Sequence, residues 1–224
     1  MSKDKESGLL EKIEFEDIIQ VDFKNAIKHA VLVSKLSALV SKELGESAEF
    51  TRKVTLASML HDIGKLRLSK YLYGRNKTSL DIEELKYVRR HAKFSLDITK
   101  EAGFDEEIQE MVYHHHENYD GSGYPDYLAG AEIPFGARIL RVCDMFGALV
   151  STRPYRSAFD IETAVEMMID EIKNFDMRVF LAFQRVIHSE EFEEVQHMIN
   201  HVNIPENDKE LMFLYIKEFE EEKQ

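Results

Sequence analysis

The residues of this chain whose types and spacing can do chemistry are histidines and aspartates. Six of its nine histidines fall between His29 and His116. His61-Asp62 closes an apolar helical pattern and is followed by Gly64 and Lys65; His29 lies on an earlier pattern, His91 on a later one, and His114-His115-His116 ends another. A lone histidine on such a face is more often a satisfied core or surface residue than a ligand, so the combination carries the inference. Neighbours on a helix point about 100° apart. His61 and Asp62 therefore reach one metal cluster only from a helix edge, where the short carboxylate is free to bridge two cations. Imidazole and carboxylate together suit Fe, Mn, Zn or Ni and are poor ligands for a lone Mg or Ca site. Asp144 stands among Leu140, Val142, Met145 and Phe146, where an unpaired carboxylate would be costly to bury. Metal coordination would supply the pairing.

The elements that must position these groups read as helices. Four prolines and ten glycines leave long stretches without breakers, and apolar residues recur there at steps of three and four. Phe23, Ile27, Ala30, Val33, Leu36, Val40 and Leu44 form one face; Phe50, Val54, Ala57 and Leu60 a second; Ile82, Leu85 and Val88 open a third. Further patterns run from Glu106 to His116, Phe135 to Val150, Ile161 to Lys173 and Met177 to His188. Gly45, Gly64 and Gly103 read as helix-ending punctuation, and Gly74 as part of a polar loop. No period-two strand pattern stands out, although the aromatic loop Asn118 to Pro134 has room for a short one. The expected fold is all-α: residues 1–22 a charged lead-in, 23–187 the main domain, and 188–224 a short helical C-terminal extension with an acidic tail.

Composition narrows the function. With 224 residues and 44% hydrophobic content the chain can build one substantial core. Its single cysteine, Cys143, excludes an intrachain disulfide and a cysteine-based zinc site. A net charge of −13 argues against a nucleic-acid polymer as partner, but leaves room for a small anion held by metal ions and a few placed cations. Neither a membrane span nor a signal-peptide core is legible, and the expected location is the cytoplasm.

Three stretches, taken in order, carry a resemblance. They are His61-Asp62-Ile63-Gly64-Lys65, then His115-His116-Glu117-Asn118-Tyr119-Asp120-Gly121-Ser122-Gly123-Tyr124-Pro125, then Asp144 with Arg153-Pro154-Tyr155-Arg156 beginning nine residues on. Together they resemble the HD-GYP subgroup of HD-domain phosphohydrolases over roughly residues 23–187. The dipeptide alone is a weak signal; the long second motif is a strong one. The resemblance implies a helical bundle around a buried metal cluster that hydrolyses a cyclic dinucleotide, cyclic di-GMP foremost, to the linear dinucleotide or the mononucleotide by attack of a metal-bridging hydroxide. Carried over by residue, His29, His61, His91, His115, His116 and Asp144 would be terminal ligands and Asp62 the bridge. Lys65 would face a substrate phosphate, Arg153 and Arg156 would hold phosphate, and Tyr124 belongs to the loop that names the family. Two transition-metal ions are implied, Fe or Mn, with Zn or Ni as alternatives.

Three positions depart from the family pattern. Asn25 stands where members with a third metal carry glutamate, Gly147 where a second aspartate is usual, and Leu32 where an arginine is common. Asn25 is the reason to expect two ions and not three. These departures also motivate a second reading, a feebly active relative that binds nucleotide or a protein partner, with or without homodimerisation, as a signalling module. A third reading is a helical di-iron oxygen-handling protein. Lys65, the paired arginines and the Gly-Ser-Gly-Tyr-Pro loop speak against that one, because dioxygen needs no phosphate clamp. His197 and His201 are spaced i, i+4 but have no acidic partner pattern and read as surface.

Overall fold

A computed structural model of the protein describes residues 25–68, 86–152 and 157–202. In chain order it contains α1 (25–43), α2 (Ala48–Leu60), a 3-10 helix (Ile63–Leu68), α3 (His91–Glu101), α4 (Glu106–Tyr113), a 3-10 turn (Gly130–Glu132), α5 (Phe135–Leu149), α6 (Ile161–Asp170), a 3-10 turn (Ile172–Asn174), α7 (Met177–Ile187) and α8 (Phe192–Val202). No strand occurs among the described residues, so the all-α expectation holds, and the Asn118–Pro134 loop hides none.

Local chemistry sets the helix boundaries. Ser47, Asp105, Asp160 and Asp176 accept the backbone N–H groups of Phe50, Glu107, Thr163 and Arg178, starting α2, α4, α6 and α7. Gly45 and Gly103 follow α1 and α3 with φ of +77° and +74°, the left-handed conformation that ends a helix and that glycine adopts without a Cβ clash. Gly64 does not work this way. Its backbone φ is not positive; a Cβ there would lie 2.2 Å from the His91 carbonyl oxygen and 2.5 Å from the Ser95 nitrogen. It is a contact glycine, and it lets the turn after His61-Asp62 press against the start of α3. Gly74 lies outside the described residues.

The core is one cluster with α5 at its centre. Ile139, Leu140, Val142, Cys143, Phe146 and Leu149 of α5 are buried, and this helix packs on α2, α4, α6 and α7. Leu32, Val33, Leu36 and Val40 of α1 join from one side. From the other, Phe183 of α7 meets the Phe146 ring edge-on at 5.1 Å, the kind of aromatic pairing that adds to simple area burial. Phe192, Val195, Met198 and Ile199 place α8 in the same cluster, so the first helix of the C-terminal extension shares the main core. No described helix is long and apolar enough to cross a membrane.

Candidate metal centre

Each histidine of the cluster is aimed by the backbone. His61 is the C-cap of α2 and Asp62 begins the turn after it. The pair thus escapes the helical divergence of neighbouring side chains. Nδ1 of His61 lies 2.6 Å from the Ser58 carbonyl, Nδ1 of His91 2.7 Å from that of Val88, and Nδ1 of His115 2.6 Å from that of Val112. A carbonyl only accepts, so each Nδ1 carries a proton, and whenever the ring is neutral its Nε2 is a bare lone pair. Around His91 the Nε2 atoms converge. His91 Nε2 and His115 Nε2 are 3.4 Å apart, and His116 Nε2 comes within 3.1 Å of His91 Nε2.

The carboxylates complete two groups. Asp62, His91, His115 and His116 form one, and His29, His61 and Asp144 the other; within each, the ligand atoms lie within 4.8 Å of one another. Asp62 joins them: one oxygen is 3.4 Å from His61 Nε2 and the other 3.4 Å from His91 Nε2. Asp144 Oδ1 sits 2.9 Å from His29 Nε2 and 3.5 Å from His61 Nε2. Lys65 donates from Nζ to Asp62 Oδ2. Ser95 Oγ braces the turn, donating to the His61 carbonyl while accepting the Gly64 N–H, both at 2.8 Å.

The electrostatics of this cluster call for a cation. His61 Nε2 and Asp62 Oδ1 are buried without a hydrogen-bond partner, two orphans of the kind natural interiors avoid. Burial pushes His115 down to about 3 and His116 well below the usual imidazole range; it also lowers His91. These rings are neutral and ligand-competent. Burial lowers His61 as well, but the Asp62 and Asp144 carboxylates more than offset this and raise it to about 10, so that corner demands positive charge from a proton or a metal. Burial alone would raise both carboxylates. Lys65, His61 and His91 instead hold Asp62 well below the carboxylate range, and His29 and His61 do the same for Asp144. Imidazole and carboxylate donors grouped in this way fit transition-metal ions.

The sequence model of the HD domain family matches residues 14–179. The chain belongs to the HD domain family. Among relatives of this HD domain is a protein named cyclic di-GMP phosphodiesterase response regulator RpfG, from Xanthomonas campestris, 37% identical over 136 residues, 59% of this chain and 35% of that protein. Another is named 3'3'-cGAMP-specific phosphodiesterase 1, from Vibrio cholerae, 30% identical over 166 residues, 73% of this chain and 38% of that one. The chain thus spans well under half the length of these relatives. A solved structure described as an HDG"Y"P protein from Bdellovibrio bacteriovorus shares the fold, with a TM-score of 0.59 at 20% identity over 73% of this chain and 53% of that one.

The HD domain brings together all seven residues expected as ligands and places Lys65 beside them. The Tyr124 ring is 4.8 Å from that of His116, and its backbone N–H donates to the His116 carbonyl; burial and the nearby Asp144 and Asp62 raise its hydroxyl pKa. Arg153 and Arg156 lie outside the described residues. Asn25 is exposed at the start of α1, whereas Leu32 is buried in the core. Gly147 has a packing explanation: a Cβ there would stand 3.0 Å from Val33 Cγ2 and 3.3 Å from the His29 ring, so the missing side chain lets α1 bring His29 close to α5. His197 is exposed on α8.

Sequence reasoning missed how the Gly-Tyr-Pro loop is anchored. Glu117 is buried, and its Oε1 accepts the Asp126 N–H at 2.7 Å. His114, the histidine of the triplet that stays out of the cluster, reaches Asp126 Oδ2 at 3.2 Å instead. A Cβ on Gly123 would fall 2.2 Å from the Asn118 nitrogen, so glycine is what allows the loop to fold back over its own start. The usable signal was the unbroken run from His114 to Glu117, four polar residues at the end of an apolar helix.

Proposed function

We propose that this HD domain is a metal-dependent phosphodiesterase that opens a cyclic dinucleotide, with cyclic di-GMP the preferred substrate and two Fe or Mn ions that Asp62 would help to hold. The observation that carries the reading is the pair of donor groups joined through the two oxygens of one carboxylate. The names of its relatives, which specify cyclic di-GMP in one case and 3'3'-cGAMP in the other, support the substrate class.

Bound as a pair, the cations supply an acidified water as nucleophile and positive charge for the phosphoryl oxygens. The protein does the rest. His61, His91 and His115, each locked by a backbone carbonyl, hold their lone pairs fixed, so little reorganisation accompanies the reaction. Asp62 sets the separation between the two halves of the site, and Lys65, held at Asp62, adds a charge-assisted donor for a phosphate oxygen. The half-buried Tyr124 ring, tilted 32° to that of His116, offers a face for the nucleotide and helps exclude water. Hydrolysis would add water across the bond from phosphorus to the ribose O3′: the water oxygen bonds to phosphorus in line, the P–O3′ bond breaks, and O3′ leaves as the hydroxyl of the linear dinucleotide with a proton equivalent to the one the water gives up.

Leu32 and Gly147 do not favour the binding-module reading, since core packing accounts for both. The deciding experiment incubates metal-loaded protein with cyclic di-GMP, 3'3'-cGAMP and cyclic di-AMP and separates the products by chromatography. Linear product from cyclic di-GMP at the highest rate is expected. Full metal occupancy with nucleotide binding and no turnover over hours would establish the module reading instead.

A further inference from the structure

Arg141 lies on α5 three residues before Asp144, the spacing that puts two side chains on one helix face. It is half-buried. Its Nε donates to Asn118 Oδ1 at 2.9 Å, and its guanidinium lies 5.7 Å from the Phe175 ring centroid. Asn118 in turn donates to Ser122 Oγ at 3.0 Å. The guanidinium is thereby tied by one edge to the Gly-Tyr-Pro loop, just past His115 and His116.

Its other donors have no protein acceptor among the described residues, and no described carboxylate lies within ion-pair distance of it. Arg138, on the same helix, shows the contrast: its Nη1 pairs with Asp176 Oδ2 at 2.8 Å. Arg138 is a structural arginine with its counterion supplied. Arg141 is a half-buried cation, one helical turn from the proposed ligand Asp144, with two Nη groups left to donate. Guanidinium groups so placed suit the oxygens of a phosphate, which they engage through two parallel hydrogen bonds.

We propose that Arg141 is a substrate-binding residue whose Nη groups hold the second phosphate of a cyclic dinucleotide, the one that is not cleaved, on the Tyr124 side of the cluster. Lys65 serves the cleaved phosphate on the Asp62 side. The assignment rests on the phosphodiesterase reading above, and it adds a reason for substrates with two phosphates. A cyclic dinucleotide satisfies the metal pair and Arg141 together; a simple phosphodiester satisfies the metal pair alone. Burial lowers the Arg141 pKa, against the opposing pull of the Asp144 and Glu171 carboxylates. A guanidinium nonetheless stays charged at any working pH.

The test compares wild type with Arg141→Gln, which keeps a donor for Asn118 but loses the charge, and Arg141→Lys, which keeps the charge but loses the fork. Three quantities are read: metal content, KM and kcat for cyclic di-GMP, and the Kd of its non-hydrolysable phosphorothioate analogue. With full metal content, Arg141→Gln should raise KM and Kd by about ten- to a hundredfold and Arg141→Lys by less. The rate on bis(p-nitrophenyl) phosphate, which has one phosphate, should change far less than that on the dinucleotide. Unchanged KM and Kd would overturn the assignment and leave the phosphodiesterase reading standing. Equal losses on both substrates, loss of metal, or failure of both variants to fold would make Arg141 a support of the cluster and overturn it too. A wild-type protein that cleaves bis(p-nitrophenyl) phosphate but neither binds nor cleaves any cyclic dinucleotide would sink the substrate reading, and the assignment with it.

Discussion

Nε2 of His91 and Nε2 of His115 face each other across 3.4 Å, and each ring has its proton on the far nitrogen, donated to a backbone carbonyl. Two lone pairs so held repel unless a cation lies between them. Asp62 reaches the same spot through one oxygen, and that triangle is the heart of the proposed centre.

Asp62→Asn and His115→Gln should therefore lose bound metal while keeping the fold. Loss of a group that only orients a ligand typically costs 10–100-fold in metal affinity or activity, so loss of a ligand should cost at least about a hundredfold. Elemental analysis, circular dichroism and a hydrolysis assay on each variant check this. His197→Ala, exposed on α8, should change none of the three; retained metal in Asp62→Asn would show that the bridge is misassigned.

Gly64 and Gly103 should respond differently to alanine. At Gly64 the new Cβ would collide with α3 backbone, at 2.2 Å from the His91 oxygen. Overpacking of this kind costs about 1–3 kcal/mol, and it should also pull His61 and Asp62 away from His91 and lower metal content. At Gly103 there is open space but φ is +74°. The expected loss is about 1–2 kcal/mol of stability with metal content intact. Thermal unfolding and metal analysis of both variants separate the two effects.

What the sequence made legible follows a physical divide. Side-chain identity and helical spacing exposed His61, Asp62 and Asp144, because buried charge among apolar residues needs a reason. The carbonyls of Ser58, Val88 and Val112, which aim the rings, could not be read, since backbone groups look alike in every sequence. Gly64 was legible as a glycine but not as a contact glycine, because the backbone it touches is some thirty residues away. Arg141 was not singled out, although its spacing of three from Asp144 was there to be used. His114, not among the expected ligands, turns to Asp126, since adjacent residues leaving a helix cannot all face one side.

Cys143 should be inert in the native protein. Burial pushes its thiol up to about 12, and the thiolate is the reactive form. At pH 8 only about one thiol in ten thousand would be ionised. Iodoacetamide at that pH should leave the folded protein unmodified and label it fully once it is unfolded in guanidinium, as read by mass spectrometry. Rapid labelling of folded, active protein would show that the centre of α5 opens far more readily than its packing implies.

The central claim is that hydrolysis needs two cations held by this one cluster, and a metal titration tests it most directly. Protein stripped by chelator is returned anaerobically to Mn in increments, and cyclic di-GMP hydrolysis is measured against equivalents bound. The account predicts negligible activity without metal, and a rise that ends at two equivalents per chain. Full activity in the stripped protein, or saturation at a single equivalent, would contradict it.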